Sequence, residues 1–352
     1  MTWIDALEGE ARAALPDYVY GYFSARAGNG ETVADAQRDW DAIRFRPRAF
    51  VLGAHASTST TVLGMPVRTP VLMAPMANQN AADPQAERAT GHAAARAGTV
   101  LGVSTNTAVP FDEIAATGAP WWFQLYPMRD AGLTDALVRR AAQAGARAII
   151  LTVDRVSFEG DRAVIEPRDW PESPRKARLA NILHEDLDGL PDDAMQVTRE
   201  FSDSEVQHLR DVSGLDVLVK GILRGDEAHR AVEAGASGIV VSTHGGRRLG
   251  RSISSIAALP EVVAAVGNRA EVFIDSGVRD GDHIAAALAL GARAVFVGRP
   301  VMWGLATGGA EGAHAVVERL TRELLHSMER MGVRTVADLT ADLVVGAVPP
   351  AT

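Results

Sequence analysis

The chain has 352 residues, of which 47% are hydrophobic and 22% charged, so it can bury a large core as one large α/β domain or two smaller ones. Its formal net charge is −9 and it has no long run of Lys or Arg, which argues against nucleic acid or an anionic membrane and favours small-molecule partners. Without cysteine it has no disulfide and no cysteine-based nucleophile or metal site, and its nine scattered histidines predict no metal centre.

The N-terminal residues 1–65 are predicted to form a helical extension. An amphipathic helix is expected over residues 3–14 and a second helical pattern over residues 28–43, both covering the bottom of the main domain, while the aromatic stretch 20–23 reaches its rim. The first residues lack the basic start and apolar core of a signal peptide. No window approaches the ~18 apolar residues of a membrane span. We therefore expect a soluble, cytoplasmic protein.

Eight short apolar segments follow, each ending in glycine or polar residues. Most of the intervening segments have an Ala-rich helical period, and the junction GARAIILTV is repeated as GASGIVVST and GARAVFVGR. Apolar strands that alternate with helices are typical of a parallel sheet covered by helices. The segments are VLMAP (71–75), VLGVS (100–104), WWFQL (121–125), AIILTV (148–153), DVLVKG (216–221), GIVVST (238–243), EVFIDS (271–276) and AVFVGR (294–299).

Eight such units predict a (β/α)8 barrel over residues 66–340. Polar or backbone-accessible residues follow every strand, as expected for a barrel, whose chemistry gathers at the C-terminal ends of its strands. An open sheet would concentrate its ligand at one crevice. Residues 155–200 are far longer than the usual loop of about 2 to 6 residues and are predicted to form a lid after the fourth barrel strand. Residues 341–352 are expected to be a C-terminal tail.

The loops after the last two strands predict a phosphate site. Neither a P-loop nor a Rossmann fingerprint is present, but DSGVRDG (275–281) and VGRP (297–300) combine glycines, which let the backbone approach an anion, with Arg279 and Arg299. The alternative is that these glycines make tight turns and the arginines are surface charges. The two elements together, at the two strands where barrels often bind phosphate, favour a phosphorylated ligand.

A histidine at one strand end has the sequence context of a catalytic group. His244 follows a buried strand and precedes two glycines and Arg247, which favours function over a satisfied core histidine. Asp154, at the end of another strand, could orient the imidazole and raise its basicity. Lys220 ends a third apolar strand and is expected to point at an electron-rich group rather than into solvent.

The strand-end motifs, taken together, resemble one family of enzymes. STHGGRRL, LTVD, FQLY, LVKG, FRPR, DSGVRDG and VGRPV are similar to motifs of the FMN-dependent α-hydroxy acid oxidases and dehydrogenases, which include glycolate oxidase, lactate oxidase, mandelate dehydrogenase and hydroxymandelate oxidase. The resemblance extends from about Leu15 to about residue 331. It implies a (β/α)8 barrel, FMN as cofactor, oxidation of an (S)-2-hydroxy acid to the 2-oxo acid with O2 as acceptor and H2O2 as product, and a homo-oligomer, a tetramer or octamer.

The resemblance also implies roles for individual residues. His244 would be the catalytic base, paired with Asp154, and Arg247 would bind the substrate carboxylate. Tyr22 and Tyr126 would contact the substrate, and Lys220 would lie by flavin N1 and O2. Arg162 would be a second carboxylate-binding arginine, although one residue must be gapped to align it. Asp275, Gly277, Arg279, Gly298 and Arg299 would hold the ribityl phosphate, and the remaining cofactor contacts would come from Pro75, Met76, Ala77, Ser104, Gln124, Thr152, Ser242 and Gly246.

Departures from the family pattern leave the substrate and the electron acceptor open. Asn106 stands where glycolate oxidase has tryptophan, which predicts a larger and more polar substrate pocket, and Gly250 replaces the aspartate after the RQL of the motif. Ala77 favours an oxidase over a dehydrogenase that passes electrons to a quinone or protein. Asn106 and an altered lid would also make room for the larger or carrier-linked substrate of a tailoring oxidase. A non-enzymatic flavin-binding barrel is a third alternative, which the complete set of base, carboxylate-binding arginine and cation argues against. Whether His244 takes the hydroxyl proton or the Cα proton stays open.

Overall fold

The computed structural model describes residues 2–51, 55–154, 180–198 and 201–346. Within these ranges the chain begins with three helices and two short β-elements. They precede the main domain: α1 (Trp3–Ala14), α2 (Asp17–Ser24), α3 (Glu31–Ala42), β1 (Arg44–Phe45), and a hairpin of β2 (Thr60–Val62) and β3 (Met65–Val67).

Eight parallel strands then form a closed barrel, which confirms the predicted (β/α)8 fold. Around the barrel the order is β10, β11, β4, β5, β6, β7, β8, β9, so neighbours in sequence are neighbours in space. The strands are β4 (Val71–Met73), β5 (Leu101–Ser104), β6 (Trp121–Leu125), β7 (Ala148–Thr152), β8 (Asp216–Ile222), β9 (Gly238–Val241), β10 (Glu271–Ile274) and β11 (Ala294–Val297).

Helices separate the strands and cover the outside of the barrel. Alanine-rich faces allow several of them to pack closely: α10 buries most of its length and α9 is largely apolar. The helices are α4 (Glu87–Ala97), α5 (Phe111–Ala115), α6 (Ala131–Gln143), α7 (Ser204–Ser213), α8 (Gly225–Glu233), α9 (Ser255–Val266), α10 (Gly281–Ala289) and α11 (Arg299–Met331), which is kinked at Gly308 and Gly309. A last strand, β12 (Val344–Val345), pairs with β1.

The lower part of the barrel interior is an apolar layer. Trp122 packs edge-on against Phe273 and Phe296, with ring centroids 5.4 and 5.9 Å apart. Val62 and Val67 of the hairpin belong to the same cluster and close the bottom of the barrel. Large aromatic side chains with edge-to-face contacts dominate the energetics of such a layer, and truncating one of them to alanine typically costs about 3–5 kcal/mol.

Strand periodicity puts a polar layer directly above this apolar one. Side chains alternate between the two faces of a strand, so a residue two positions beyond an inward-facing one also faces inward. The inward residues Trp122, Ile150, Leu218, Val240, Phe273 and Phe296 are therefore followed toward the C-terminal rim by Gln124, Thr152, Lys220, Ser242, Asp275 and Gly298. The barrel presents these six predicted site residues through this simple register.

The expectation that both N-terminal helices cover the bottom of the barrel is wrong. Helix α1 places Asp5 and Glu8 in one pocket with Arg279 and Arg299, and α3 lies at the same C-terminal rim. The buried face of α3 lies near this rim, where Thr32 Oγ1 donates to the carbonyl of Leu249 (2.7 Å) and Trp40 Nε1 donates to the carbonyl of Ser276 (3.0 Å). The hairpin of β2 and β3 closes the bottom instead. Helix α2 carries Tyr22 into the rim, as the aromatic stretch predicts.

The segment between β7 and α7 is partly described. Residues 180–198 pack against the loop after β6: the N–H of Arg129 donates to the carbonyl of Gln196 (2.7 Å), and the N–H of Thr198 donates to the carbonyl of Pro127 (2.9 Å). Most of the predicted lid, and Arg162 with it, lies outside the described residues. Across the described ranges, no helix combines the length and apolarity that crossing a membrane requires.

Candidate active site

A deep cleft opens at the C-terminal rim of the barrel. It encloses about 1210 Å³ of space, the solvent in its open mouth included. Most of the predicted site residues line it: Tyr22, Pro75, Met76, Ala77, Ser104, Asn106, Gln124, Tyr126, Thr152, Lys220, His244, Arg247, Asp275, Gly277, Arg279, Gly298 and Arg299.

Two residues predicted to contact the cofactor do not line the cleft. Ser242 Oγ accepts from Lys220 Nζ (2.9 Å) and from the N–H of His244 (3.0 Å), so it supports two lining residues from behind. Gly246 faces α3, where an added Cβ would lie 2.6 Å from Val33 Cγ2. Direct cofactor contact by these two residues stays a prediction, although the loop after β9 turns both away from the lining of the cleft.

One end of the cleft, here called the histidine end, is formed by Tyr126, His244 and Arg248. His244 has a left-handed backbone (φ 55°), which turns its side chain toward the cleft at the start of the loop after β9. Its Nδ1 lies 2.9 and 3.2 Å from the two carboxylate oxygens of Asp154. Its Nε2 lies 3.2 Å from Tyr126 Oη and 3.1 Å from Arg248 Nη2.

The protonation state of this pair follows from burial and from the charges around it. Burial alone would raise the pKa of Asp154, but the charge of His244 and its hydrogen bond, with Lys220 and Arg248, hold that pKa well below its ordinary value. Burial lowers the pKa of His244 to about 4, and the positive charges of Arg248 and Lys220 act in the same direction. At neutral pH the carboxylate is ionised and the imidazole is neutral.

This state corrects one expectation and defines the tautomer. Asp154 does raise the pKa of His244, as predicted, but its effect is outweighed, so the imidazole is less basic than a free histidine. Because the ionised Asp154 can only accept, the proton of the neutral imidazole lies on Nδ1. The lone pair on Nε2 faces the cleft.

Arg247 is fixed against the N-terminal extension. Its Nη1 donates to the main-chain carbonyl of Tyr22 (2.6 Å), and its guanidinium carbon lies 4.8 Å from the centre of the Tyr22 ring. A guanidinium over an aromatic face is held in orientation by the quadrupole of the ring. Helix α2 therefore contributes both an aromatic wall and the orientation of this arginine.

The middle of the cleft contains a buried ion pair. Lys220 Nζ lies 3.1 Å from Asp275 Oδ2. Burial would lower the pKa of Lys220, but Asp275 and Asp154 raise it above the ordinary value, so the side chain is charged. Asp275 also accepts from Ser276 Oγ (2.5 Å). Asp275 lines the cleft, and its role in holding the phosphate stays a prediction.

A row of polar side chains adjoins the ion pair, since Thr152 is the strand partner of Lys220. Ser104 Oγ donates to Gln124 Oε1 (3.2 Å), and Gln124 Nε2 donates to Thr152 Oγ1 (3.0 Å). These side chains come from three consecutive barrel strands and are all buried. Such a row of alternating donors and acceptors matches the edge of a planar heterocycle that carries several polar atoms.

The other end of the cleft, here called the arginine end, is formed by Gly277, Arg279, Gly298 and Arg299. Arg299 is held by main-chain carbonyls, donating to those of Phe23 (3.0 Å), Ala25 (2.8 Å) and Gly245 (2.8 Å). Gly277 has a left-handed backbone (φ 98°), and a Cβ there would lie 2.7 Å from Trp40 Nε1. The glycine is required both for this turn and for packing against α3.

The positive charge at the arginine end favours binding of an anion. Burial lowers the pKa of Arg299 to about 9, and the neighbouring charges of Arg247, Arg279 and Arg26 act in the same direction. Burial also lowers the pKa of Arg279. Fixed guanidinium groups that repel one another bind a phosphate strongly, because the ligand relieves the repulsion while accepting charge-assisted hydrogen bonds.

Two residues of the site were missed in the sequence. Arg248 lines the cleft and contacts His244, and Ser276 accepts from the N–H of Gly245 (2.9 Å) with a left-handed backbone (φ 72°). A signal existed for Arg248, since HGGRRL carries arginine where the family motif has the glutamine of RQL. No comparable signal marks Ser276.

Comparisons with known proteins agree with this geometry. A sequence model of the family described as FMN-dependent dehydrogenase matches residues 11–346. The chain is 40% identical to an L-lactate oxidase of Nostoc sp., covering 94% of each chain. It is similar in structure to a lactate oxidase of Pediococcus acidilactici, with a TM-score of 0.85 and 32% identity over 97% of this chain and 94% of that one. A mandelate oxidase variant solved with an FMN adduct gives a TM-score of 0.81 and 34% identity, covering 95% of this chain and 97% of that one.

Proposed function

The chain belongs to the FMN-dependent dehydrogenase family, among the 2-hydroxy acid oxidases, and on that premise we propose that it oxidises an (S)-2-hydroxy acid to the 2-oxo acid with O2 as the electron acceptor. The observation that carries the proposal is the His244–Asp154 pair, whose Nε2 lone pair faces a cleft that Arg247 also lines. A base, a carboxylate-binding cation and a cofactor site in one cleft are the components that this reaction needs.

The residues of the cleft fit FMN. The crowded guanidinium groups of Arg279 and Arg299 suit its phosphate, and the Asp275 carboxylate suits the ribityl hydroxyls. The polar row of Ser104, Gln124 and Thr152 suits the edge of the flavin ring. Lys220 supplies a buried cation where negative charge would develop on the reduced ring. Pro75, Met76, Ala77 and Gly298 complete the lining.

FMN, when bound, supplies the two-electron acceptor for the bond broken at Cα. His244 accepts the proton at Nε2, and the ionised Asp154 stabilises the imidazolium that results. The hydroxyl of Tyr126 lies 3.2 Å from Nε2, next to the atom that receives the proton. These residues perform the same task whether the hydroxyl proton or the Cα proton is transferred.

Arg247 is proposed to bind the substrate carboxylate. Its guanidinium lines the cleft next to Arg299, with which it shares the carbonyl of Phe23, and its stacking on Tyr22 fixes the direction in which its donors point. A charge-assisted, bidentate contact orients the acid so that its hydroxyl meets Nε2. Esters, amides and parent alcohols lack the carboxylate, so they are expected to be poor substrates.

Asn106 is proposed to enlarge the substrate pocket. It lines the cleft, and its N–H donates to Ser104 Oγ (3.2 Å), which fixes the backbone at this wall. An amide occupies less space than an indole and adds polar groups, so acids with bulky side chains should be preferred over glycolate.

Oxygen consumption with a panel of acids tests the proposal. Free (S)-2-hydroxy acids should consume O2 and yield equal amounts of 2-oxo acid and H2O2, whereas their R enantiomers and esters should not. Turnover only with an added quinone would assign a dehydrogenase instead. If protein that has retained its FMN turns over none of the free acids, the proposal would be contradicted and a larger or carrier-linked substrate would be favoured.

A further inference from the structure

Arg248 is a cation in the cleft that the proposed reaction does not use. Its Nη2 lies 3.1 Å from His244 Nε2, and among the described residues its buried Nε has no hydrogen-bond partner. A buried charged donor without a partner is costly, and structures retain one mainly where a ligand completes it.

The remaining arginines of the cleft have fixed partners. Arg299 donates to three main-chain carbonyls, and Arg247 donates to the carbonyl of Tyr22 while its guanidinium stacks on the Tyr22 ring. Arg279 Nη1 donates to the carbonyl of Val278 (2.7 Å). Arg248 instead donates to a neutral imidazole, which is a weaker acceptor than a carboxylate. Its position is therefore the one most easily changed by an incoming anion.

The contact has a consequence for the base. The Nε2 lone pair that must accept the substrate proton is faced by two donors, Arg248 Nη2 and Tyr126 Oη. A lone pair occupied by a guanidinium N–H cannot take a proton from the substrate. His244 therefore becomes an active base only when Arg248 moves its donor elsewhere.

We propose that Arg248 is a further substrate-binding residue: it caps Nε2 of His244 in the free protein and transfers its donors to a carboxylate of the bound 2-hydroxy acid. The inference rests on the proposed function, since it assumes an acid in the cleft. The base is thereby released only when an anion is bound. The carboxylate is either the one at C1, shared with Arg247, or a second one on the side chain of a 2-hydroxy dicarboxylic acid.

Arg248→Gln tests the inference, because it removes the charge and keeps a side chain of similar length. Arg251→Gln is the matched control: Arg251 lies on the same loop with its side chain 86% exposed and is paired with Glu31 outside the cleft. The FMN-loaded proteins are titrated with 2-oxopentanoate and 2-oxoglutarate, which cannot be oxidised, and binding is followed by the flavin spectrum. The kinetic arm uses 2-hydroxypentanoate and 2-hydroxyglutarate.

Arg248→Gln should weaken binding about 10- to 100-fold, while Arg251→Gln should change nothing. A loss for both 2-oxo acids assigns Arg248 to the C1 carboxylate, and a loss confined to 2-oxoglutarate assigns it to a side-chain carboxylate. Unchanged affinity for both overturns the inference. If Arg248→Gln does not retain FMN, Arg248→Lys serves instead, with a smaller loss expected because an ammonium cannot form the bidentate contact.

The pH profile separates this role from a structural one. His244 is faced by Asp154, Lys220, Arg248 and the hydroxyl of Tyr126. Removing the Arg248 charge leaves the others in place, so the acid limb of kcat/KM should move to higher pH in Arg248→Gln and stay in place in Arg248→Lys. A limb that does not move in Arg248→Gln would also contradict the inference.

The two proposals fail in different ways. Wild-type protein that no 2-hydroxy acid reduces would contradict the proposed function. Wild-type protein that is reduced, together with an Arg248→Gln variant of equal affinity and activity, would contradict the role of Arg248 alone.

Discussion

The two ends of the cleft are built from different kinds of contact. At the arginine end, cations are fixed by main-chain carbonyls and the loops turn at glycines, as Arg299 and Gly277 show. At the histidine end, side chains fix one another: Asp154 orients His244, and Arg248 and Tyr126 share its Nε2. The arginine end is thus a rigid binding site, whereas the histidine end can rearrange when a substrate enters.

This difference predicts that variants at the two ends separate cofactor binding from chemistry. Changes at the histidine end should alter rates while FMN stays bound. Changes at the arginine end should release FMN first, and activity should fall only in proportion to the FMN that is lost.

The largest effect is expected for His244→Gln. Removing the base should slow flavin reduction by at least about 10²- to 10⁴-fold, because general-base catalysis typically supplies that much. FMN content, measured after denaturation, should match the wild type. His208→Gln is the control, since His208 is about half exposed and pairs with Asp135 away from the cleft. Flavin reduction at the wild-type rate in His244→Gln would make His244 structural.

The next largest effect is expected for Arg247→Met. It should lower kcat/KM by roughly 10²-fold or more, because a bidentate, charge-assisted contact to the substrate carboxylate is removed. Methionine keeps much of the apolar stem that packs on Tyr22. The measurement is stopped-flow flavin reduction at several acid concentrations. If kcat/KM were unchanged, another residue would have to bind the carboxylate.

Arg299→Gln should weaken FMN binding by about 10- to 100-fold, because a charged donor to the phosphate is lost. Dilution of the loaded protein, followed by flavin fluorescence, measures the dissociation constant. Arg293→Gln is the control at the opposite end of the barrel, where Arg293 pairs with Glu271. FMN affinity equal to that of the wild type would show that the phosphate binds elsewhere.

Asn106→Trp should change the preference between a bulky acid and glycolate, measured as the ratio of their kcat/KM values, by about tenfold in favour of glycolate. A change of this size is typical when a pocket gains or loses a few methylene contacts. Asn268→Trp, in an exposed loop before β10, is the control for adding an indole. An unchanged ratio would mean that residue 106 does not limit the size of the substrate.

The smallest effect concerns pH. Burial lowers the pKa of His244 to about 4 from its ordinary 6.5, so the base is neutral over the whole range above that value. The acid limb of kcat/KM for flavin reduction should therefore lie near pH 4. An acid limb at or above the ordinary pKa of histidine would show that the imidazole is protonated more easily than its buried surroundings imply.

Much of the fold was predictable from the sequence because it depends on local patterns. The eight apolar segments, the repeated GARA and GASG junctions and the polar residue at each strand end all follow from periods of two and 3.6 residues. The position of α3 was not predictable in this way. Its buried face, including Thr32, Ala36 and Trp40, shows that one side is covered, but a helical pattern does not say which end of the barrel covers it.

The site was predictable to the extent that strand register places it. Gln124, Thr152 and Lys220 follow inward-facing residues and line the cleft. Ser242 also follows the register, yet it lies behind the lining because Lys220 and the backbone of His244 occupy its hydroxyl. The lowered pKa of His244 could not be predicted from the sequence either, because it depends on burial and on the positions of Arg248 and Lys220 in the folded structure.

Flavin reduction without oxygen tests most directly whether His244 drives oxidation of a free 2-hydroxy acid in this cleft. Protein loaded with FMN is mixed anaerobically with the S and R enantiomers of a bulky 2-hydroxy acid, in wild type and in His244→Gln. We expect rapid bleaching of the flavin by the S acid in the wild type, little or none by the R acid, and a much slower reaction in the variant. Bleaching at equal rates in both proteins, or none by either enantiomer of any free acid in wild type, would contradict the proposed function.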